Sequence, residues 1–316
     1  MNLETFFNHF ELLADAPNGV QKLRELILQL AVMGKLVPQD KNDGPASILL
    51  EKIKAEKAKL VKDKKIKKSK PLTPITDDEI PYNLPIGWEW VRLDDITLLI
   101  TDGAHHTPTY TFSGVPFLSV KDISSGFINL ANTRFISEET HQKLIKICHP
   151  EFNDILLTKV GTTGIAKVID IDIEFSIFVS LALLKFNKSL IYTYYLELLI
   201  NSPLVKEKSA KNTQGVGNKN LVLKHIKNFV TPLPPLNEPH RIVNKVAQLM
   251  KYCDELENKK TEQKKQLILL GETATNKLIK TKEEDFKNNW QQIQENFELI
   301  YSTCLLYTSP SPRDRE

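Results

Sequence analysis

Two proline clusters limit what this chain can become. Pro71, Pro74, Pro81 and Pro85 fall within Ser69 to Pro85, and Pro232, Pro234 and Pro235 follow much later. Proline fixes φ, removes a backbone donor and keeps the preceding residue out of helix, so each cluster is extended backbone and marks a boundary. Before the first, Val20, Leu23, Leu26, Ile27, Leu30 and Met33 recur at three- and four-residue steps, the pattern of an amphipathic helix over 20–33. Gly34 is placed to end it in the left-handed C′ conformation, with Pro38 just beyond. A second helix, Ala46 to Lys65, is expected after the Asp43-Gly44-Pro45 turn.

Between the clusters, from Gly87 to Pro235, the runs WEWVRL, GVPFLSV, DILLTKV and FSIFVSLALLKF alternate with glycine, asparagine and serine turns. This predicts a compact domain of mixed α/β type, with helices at Glu138 to Lys146 and Ile191 to Ala210. Beyond the second cluster, which reads as another stiff boundary, Ile242, Val246, Leu249, Cys253, Leu256, Leu267, Leu270 and Ala274 form a seam interrupted by Lys260 and Gln263. Steps of four and three are the heptad rhythm of a coiled coil. A helix from His240 to Leu278 would be on the order of 60 Å long, a spacer or docking arm, although one helix of a local bundle would carry the same seam.

Phe10-Glu11-Leu12-Leu13 is echoed by Phe297-Glu298-Leu299-Ile300, where one helix, domain and helix unit is complete. A second copy is therefore expected to begin there, in a parent protein about twice as long. Residues 304–316 follow no periodic pattern and read as a non-native, adapter-like tail. The expected division is 1–80 helical region and basic linker, 81–236 globular domain, 237–282 spacer helix, 283–303 second repeat and 304–316 tail.

Composition narrows the function. The 41% hydrophobic and 26% charged positions suit two compact cores in 316 residues. The longest apolar stretches, such as Ile177 to Leu184 and Leu267 to Leu270, are far short of the roughly 20 residues of a membrane span. Residues 1–10 do not look like a secretory signal, so a cytoplasmic location is expected. Cys148, Cys253 and Cys304 are dispersed, as in a chain without a disulfide framework or zinc knuckle. The net charge is only +3, yet residues 51–70 carry ten lysines against Glu51, Glu56 and Asp63. A solvated helix face or linker is the plain reading of that run, and attraction to phosphate is the competing one.

No phosphate-cradling G-x-x-x-x-G-K-[ST], H-E-x-x-H or G-x-S-x-G string occurs, and Pro234-Pro235-Leu236-Asn237 is not the N-P-P-Y loop of an adenine methyltransferase. The weight moves towards binding. Asp102-Gly103-Ala104-His105-His106-Thr107-Pro108 lacks a third spaced ligand for a metal, but His105, His106 and Thr107 can donate to base edges or phosphates. Thr158 to Gly164, with Lys159, Thr162 and Thr163, offers glycine amides and hydroxyls to an anion. Residues 206–227 carry six lysines, Lys206, Lys208, Lys211, Lys219, Lys224 and Lys227, against Glu207. They frame Gln214, Asn218 and Asn220, whose amides suit adenine edges. Each of these loops could equally be an ordinary surface turn.

Leu26 to Gln39 (LILQLAVMGKLVPQ), Leu84 to Trp90 (LPIGWEW), Pro116 to Ile123 (PFLSVKDI), Gly161-Thr162-Thr163-Gly164 and Pro232 to Val243 (PLPPLNEPHRIV), in this order, resemble the N-terminal half of specificity subunits of type I restriction-modification systems. The likeness runs over residues 5–303 and departs at Pro239, where the family usually has glutamine. It implies one target recognition domain, including Lys121, flanked by an N-terminal helical segment and a long coiled-coil helix. It also implies no catalysis by this chain, with S-adenosylmethionine and ATP bound only by partner subunits. The implied partners are double-stranded DNA, methyltransferase subunits and restriction subunits, with no membrane, and a half-length chain could pair as a homodimer. A coiled-coil adaptor that binds only protein, and an enzyme built on the histidine loop, are the competing functions.

Overall fold

The computed structural model describes residues 18–68, 71–213, 220–280 and 282–297. The described residues fall into two compact units, one within 21–249 and the other made of residues 18–20 and those within 250–297. The architecture is mixed α/β with a long C-terminal helix.

In the first unit, helix α1 (Gly19–Val32) buries Leu23, Ile27, Leu30 and Ala31. It ends as expected. Gly34 takes φ +66°, its amide donates to Ala31 O and Lys35 N donates to Leu30 O at 3.0 Å, the paired bonds of a Schellman cap. A Cβ on Gly34 would lie 2.6 Å from Pro85, so bare backbone is also needed for close packing. Helix α2 (Ala46–Lys62) buries Ala46, Leu49 and Ile53 and leaves Lys52, Lys54, Lys59 and Lys62 exposed. Its first amide donates to Gly87 O at 2.7 Å.

From Pro71 the segment that leads to β1 has no regular structure except a single helical turn at Asp77–Glu79, and it is strapped down. Arg92, buried at the end of strand β1 (Glu89–Arg92), makes a two-pronged pair with Glu79 at 2.8 and 3.0 Å and donates to Thr73 O, Pro74 O and Asn228 O. That pairing lowers the Glu79 carboxyl below its ordinary range. Tyr82 donates to Val32 O at 3.2 Å and packs on Trp90.

The sheets are small. After helix α3 (Leu93–Ile96), strand β2 (Leu99–Asp102) joins a four-stranded antiparallel sheet with β5 (Ile155–Thr158), β6 (Ala166–Val168) and β8 (Leu181–Lys185), in the order β2-β8-β5-β6. Strands β3 (Val115–Leu118), β4 (Arg134–Ile136) and β7 (Ser176–Ile177) form a second sheet, β4-β3-β7. Central strand β8 is buried on both faces, which explains the unbroken Leu181 to Leu184 run. Leu118, Ile123, Leu156, Phe175, Ile177 and Leu183 belong to one core beneath both sheets. Buried there too, the Cys148 thiol is pushed up to about 12 and is unreactive.

Helix α4 (Glu138–Leu144) lies where expected, capped by Ser137. One expectation needs correction. The single helix read over Ile191 to Ala210 is two, α5 (Thr193–Asn201) and α6 (Pro203–Asn212), because Pro203 cannot continue a helix but starts one well. The run FSIFVSLALLKF is divided by a turn at Phe178 to Ser180 between β7 and β8. Pro232 closes the domain from within a strand. After helix α7 (Leu223–Lys227), it lies within strand β9 (Val230–Leu233), paired antiparallel with β1. A two-stranded sheet has only edge strands, where proline is tolerated.

The first turns of helix α8 (Glu238–Lys280) close the unit, with Pro239 accommodated in its first turn. The fully buried Glu238 carboxylate accepts Trp88 Nε1 at 2.9 Å and Gln39 Nε2 at 2.8 Å, and Gln39 Nε2 also donates to Gly34 O. Arg241 pairs with Asp43, and His240 stacks on Tyr192. Ile242, Val246 and Leu249 are buried. In the second unit, the rest of α8 and helix α9 (Glu283–Glu295) border a groove of about 350 Å³ lined in part by Leu270, Ala274 and Ile293. Cys253 is buried, Leu256 and Leu267 are half-buried and Leu270 is exposed. Among the described residues, no helix is long and apolar enough to cross a membrane.

Burial raises the Glu238 carboxyl above its ordinary range, against the pull of Trp88 and Gln39. The folded chain therefore holds this proton more tightly than the unfolded chain. The group's stabilising contribution is complete below the ordinary carboxylate value and declines as pH rises through the folded one. Glu238→Gln should lower stability by about 1–3 kcal/mol, and its deficit relative to wild type should shrink as pH rises through that window. Urea unfolding at a series of pH values checks this, and a deficit that grows with pH would contradict it.

Candidate nucleic-acid interface

The turn Phe178-Val179-Ser180 gathers three segments that are distant in sequence, and a fourth joins through one of them. Ala104 N donates to Ile177 O at 2.9 Å, and Val179 N returns a bond to Ala104 O at 3.0 Å. Phe178 N donates to Leu118 O at 2.8 Å, and Val120 N donates to Ser180 Oγ at 3.0 Å. Lys159 N donates to Ser180 O at 2.9 Å. The bond from Leu221 N to Lys159 O, at 2.7 Å, and a bridge between Val160 and Asn220 add the fourth segment. Gly103 permits the approach, because a Cβ there would sit 1.9 Å from Ile177 O.

The candidate side chains sort by exposure. His105, His106, Thr107, Lys121 and Thr162 are exposed, and Thr163 is half-buried with its Oγ1 3.2 Å from Thr213 Oγ1. Asn220 is half-buried, and its Oδ1 has no hydrogen-bond partner among the described residues. Gln214, Asn218 and Lys219 lie outside the described residues. Lys159 requires a correction as a contact. It is 4% exposed, and its Nζ pairs with Asp102 Oδ2 at 2.6 Å. A buried, neutralised ammonium braces the loops from beneath rather than meeting a phosphate. The other Asp102 oxygen is 3.1 Å from His105 Nε2, so one carboxylate ties the histidine loop to the glycine loop.

Lys121 is presented by a short turn in which the Asp122 carboxylate accepts Ser119 N at 2.7 Å and Thr133 Oγ1 at 3.0 Å, while Lys121 Nζ reaches Asn132 O at 3.2 Å. Lys208 is spent on Val230 O and Lys211 on Glu207. Sequence reasoning missed Ser180, for which a serine in the middle of the apolar run FSIFVSLALLKF was the available signal, and it weighed Asp102 as a metal ligand and not as the counter-charge of Lys159. It also missed Arg134, exposed on β4 and stacked 4.4 Å from the Tyr110 ring, and Phe112, fully exposed on the segment that follows the histidines. Among the described residues, no group of three or more His, Cys, Asp or Glu is placed to hold a metal ion.

This face lies within residues 85–266, which match the type I restriction modification DNA specificity domain. The chain is 33% identical over 312 residues to the type I restriction enzyme EcoAI specificity subunit of Escherichia coli, over 90% of this chain and 49% of that protein. It is 33% identical over 306 residues to the EcoEI specificity subunit of the same organism, over 90% and 48% respectively. Among solved structures it is similar to the HsdS subunit from Thermoanaerobacter tengcongensis, at 18% identity and a TM-score of 0.42, over 93% of this chain and 57% of that one. The chain therefore belongs to the family of type I restriction-modification DNA specificity domains, and it spans about half the length of the curated relatives it matches.

Asp102→Asn leaves the Lys159 ammonium buried without its counter-charge, which should cost about 3–5 kcal/mol, whereas Asp102→Leu combined with Lys159→Met should recover most of the loss. Denaturant unfolding of the three proteins tests the brace. A single variant within about 0.5 kcal/mol of wild type, the usual range for a surface change, would contradict it.

Proposed function

We propose that this chain is a DNA-reading subunit half, which directs partner methyltransferase and restriction subunits to a split target and performs no chemistry itself. The observation that carries the reading is the gathering of the segments at 104, 118–120 and 159 on one turn, with 220–221 joined to them through Lys159 and Val160. These segments carry exposed imidazoles, hydroxyls and a lysine. Such donors suit the edges and phosphates of a duplex. The family membership supports the same reading, and a cytoplasmic location follows from it. S-adenosylmethionine and ATP belong on the partner subunits.

The seam of α8 is proposed as the packing and docking surface. In a half-length chain a second copy would cover it, and two-fold pairing sets two recognition domains in opposite senses, so the dimer reads an inverted repeat with a central gap. A protein-only adaptor is the second reading, favoured by exposed Leu269, Leu270, Ile279 and Trp290.

Gel shifts at two salt concentrations separate the two readings, since DNA binding weakens as salt rises. Lys219→Ala should weaken all duplexes by a similar factor. Gln214→Ala or Asn218→Ala should relax preference at single base pairs by about 1–3 kcal/mol. An unchanged binding profile for all three would remove this loop as the reader. With a partner methyltransferase added, the complex should methylate palindromic split sites, and light scattering should show two copies of the chain. Methylation of only asymmetric sites by that complex, or a single copy of the chain with the partner bound, would sink the pairing.

A further inference from the structure

The lysine-rich stretch after α2 and the lysines that follow the 213–220 loop are far apart in sequence but border one groove. Its walls are Lys68, Pro71, Leu72 and Thr73 on one side and Leu223, Lys224, Lys227 and Asn228 of the α7 region on the other, and it encloses about 930 Å³. The floor is the buried Asp94. That carboxylate is already answered from below. Lys57 Nζ lies 3.2 Å from Asp94 Oδ2 and also donates to Asp94 O at 2.6 Å, and Lys227 stands 3.9 Å from Oδ1. Lys68 and Lys224 are exposed, so the lining keeps an excess of positive charge.

We infer that this groove is a phosphate track, a sequence-independent seat for the sugar-phosphate backbone of the DNA whose bases are read at the neighbouring loops. The inference rests on the proposed function and extends it to residues outside the reading face. Three observations carry it. The wall is anchored at Thr73 and Pro74, whose carbonyls accept from the buried Arg92, and Lys68 lines the same groove. The α7 wall begins two residues after Leu221, whose amide is bonded to Lys159 O at the reading face, so a duplex on that face runs close to α7. The cations are lysines. Ammonium groups act as point charges on phosphate and carry none of the planar fork that arginine uses to read guanine.

The test compares the unaltered chain with Lys68→Gln/Lys224→Gln, in which both altered residues are exposed and neither pairs with Asp94. Lys52→Gln/Lys54→Gln, on exposed positions of α2, is the control. Affinity for a fluorescent duplex is measured across a salt series, with a preferred sequence and a scrambled one. The groove variant should bind both more weakly by the same factor, and the slope of log affinity against log salt should flatten by about 2, near 0.9 for each phosphate no longer neutralised. The control should keep the wild-type slope. A groove variant with the wild-type slope overturns the inference, as does one that changes base preference. Retained DNA binding with loss of co-purifying methyltransferase would assign the groove to an acidic protein surface instead. If the wild-type chain binds no duplex at any salt, the proposed function itself fails.

Discussion

One buried carboxylate sets the frame. Glu238 draws the Trp88 indole and the Gln39 amide onto its two oxygens, and Gln39 in turn holds Gly34 O at the end of α1. Each bond to the charged form contributes about 1.5–3 kcal/mol, and losing one leaves a buried polar group without a partner. Three places in the chain meet there: the exit of the first helix, the beginning of the β-rich domain and the first residue of α8. Pairing of β1 with β9 next to this junction brings the two ends of the domain side by side. The proline clusters read as stiff boundaries are thereby built into a closed structure, and the domain between them keeps a fixed base.

On that base the reading face is organised by backbone, not by side-chain chemistry. The turn at Phe178 to Ser180 leads into β8, whose Leu181 to Leu184 are fully buried, and its carbonyls and amides are shared among neighbouring segments. The Asp102 to Lys159 pair then locks two of the loops from beneath. Such a division of labour frees the exposed side chains. His106 and Thr162 are exposed, and His105 and Lys121, though each makes one polar contact, are exposed as well, so under the proposed function all four are available to a ligand while the turn beneath carries the fold.

Periodicity made the regular elements legible. The three- and four-residue steps of α1, the Gly34 cap, the heptad seam of α8 and the apolar runs of β5 and β8 all emerge from local pattern, and the ordered motifs from Leu26 to Val243 pointed to the family that residues 85–266 match. Contacts between distant residues were not legible. Trp88 and Glu238 are 150 positions apart and Asp102 and Lys159 are 57 apart, so pattern alone could not pair them. Lys159 looked like a surface cation for that reason. The turn at Ser180 was hidden because its neighbours on both sides are apolar, and Pro203 was overlooked because the helical pattern resumes immediately after it.

The central claim is that the segments gathered by the Phe178 to Ser180 turn form the surface that meets DNA. Amide hydrogen exchange of the chain with and without a saturating duplex tests it most directly. The account predicts added protection at residues 104–107, 120–122, 160–164 and 220–222, with little change in α8 beyond Leu256. Protection confined to α8, or spread evenly over the chain with those four segments unaffected, would contradict it.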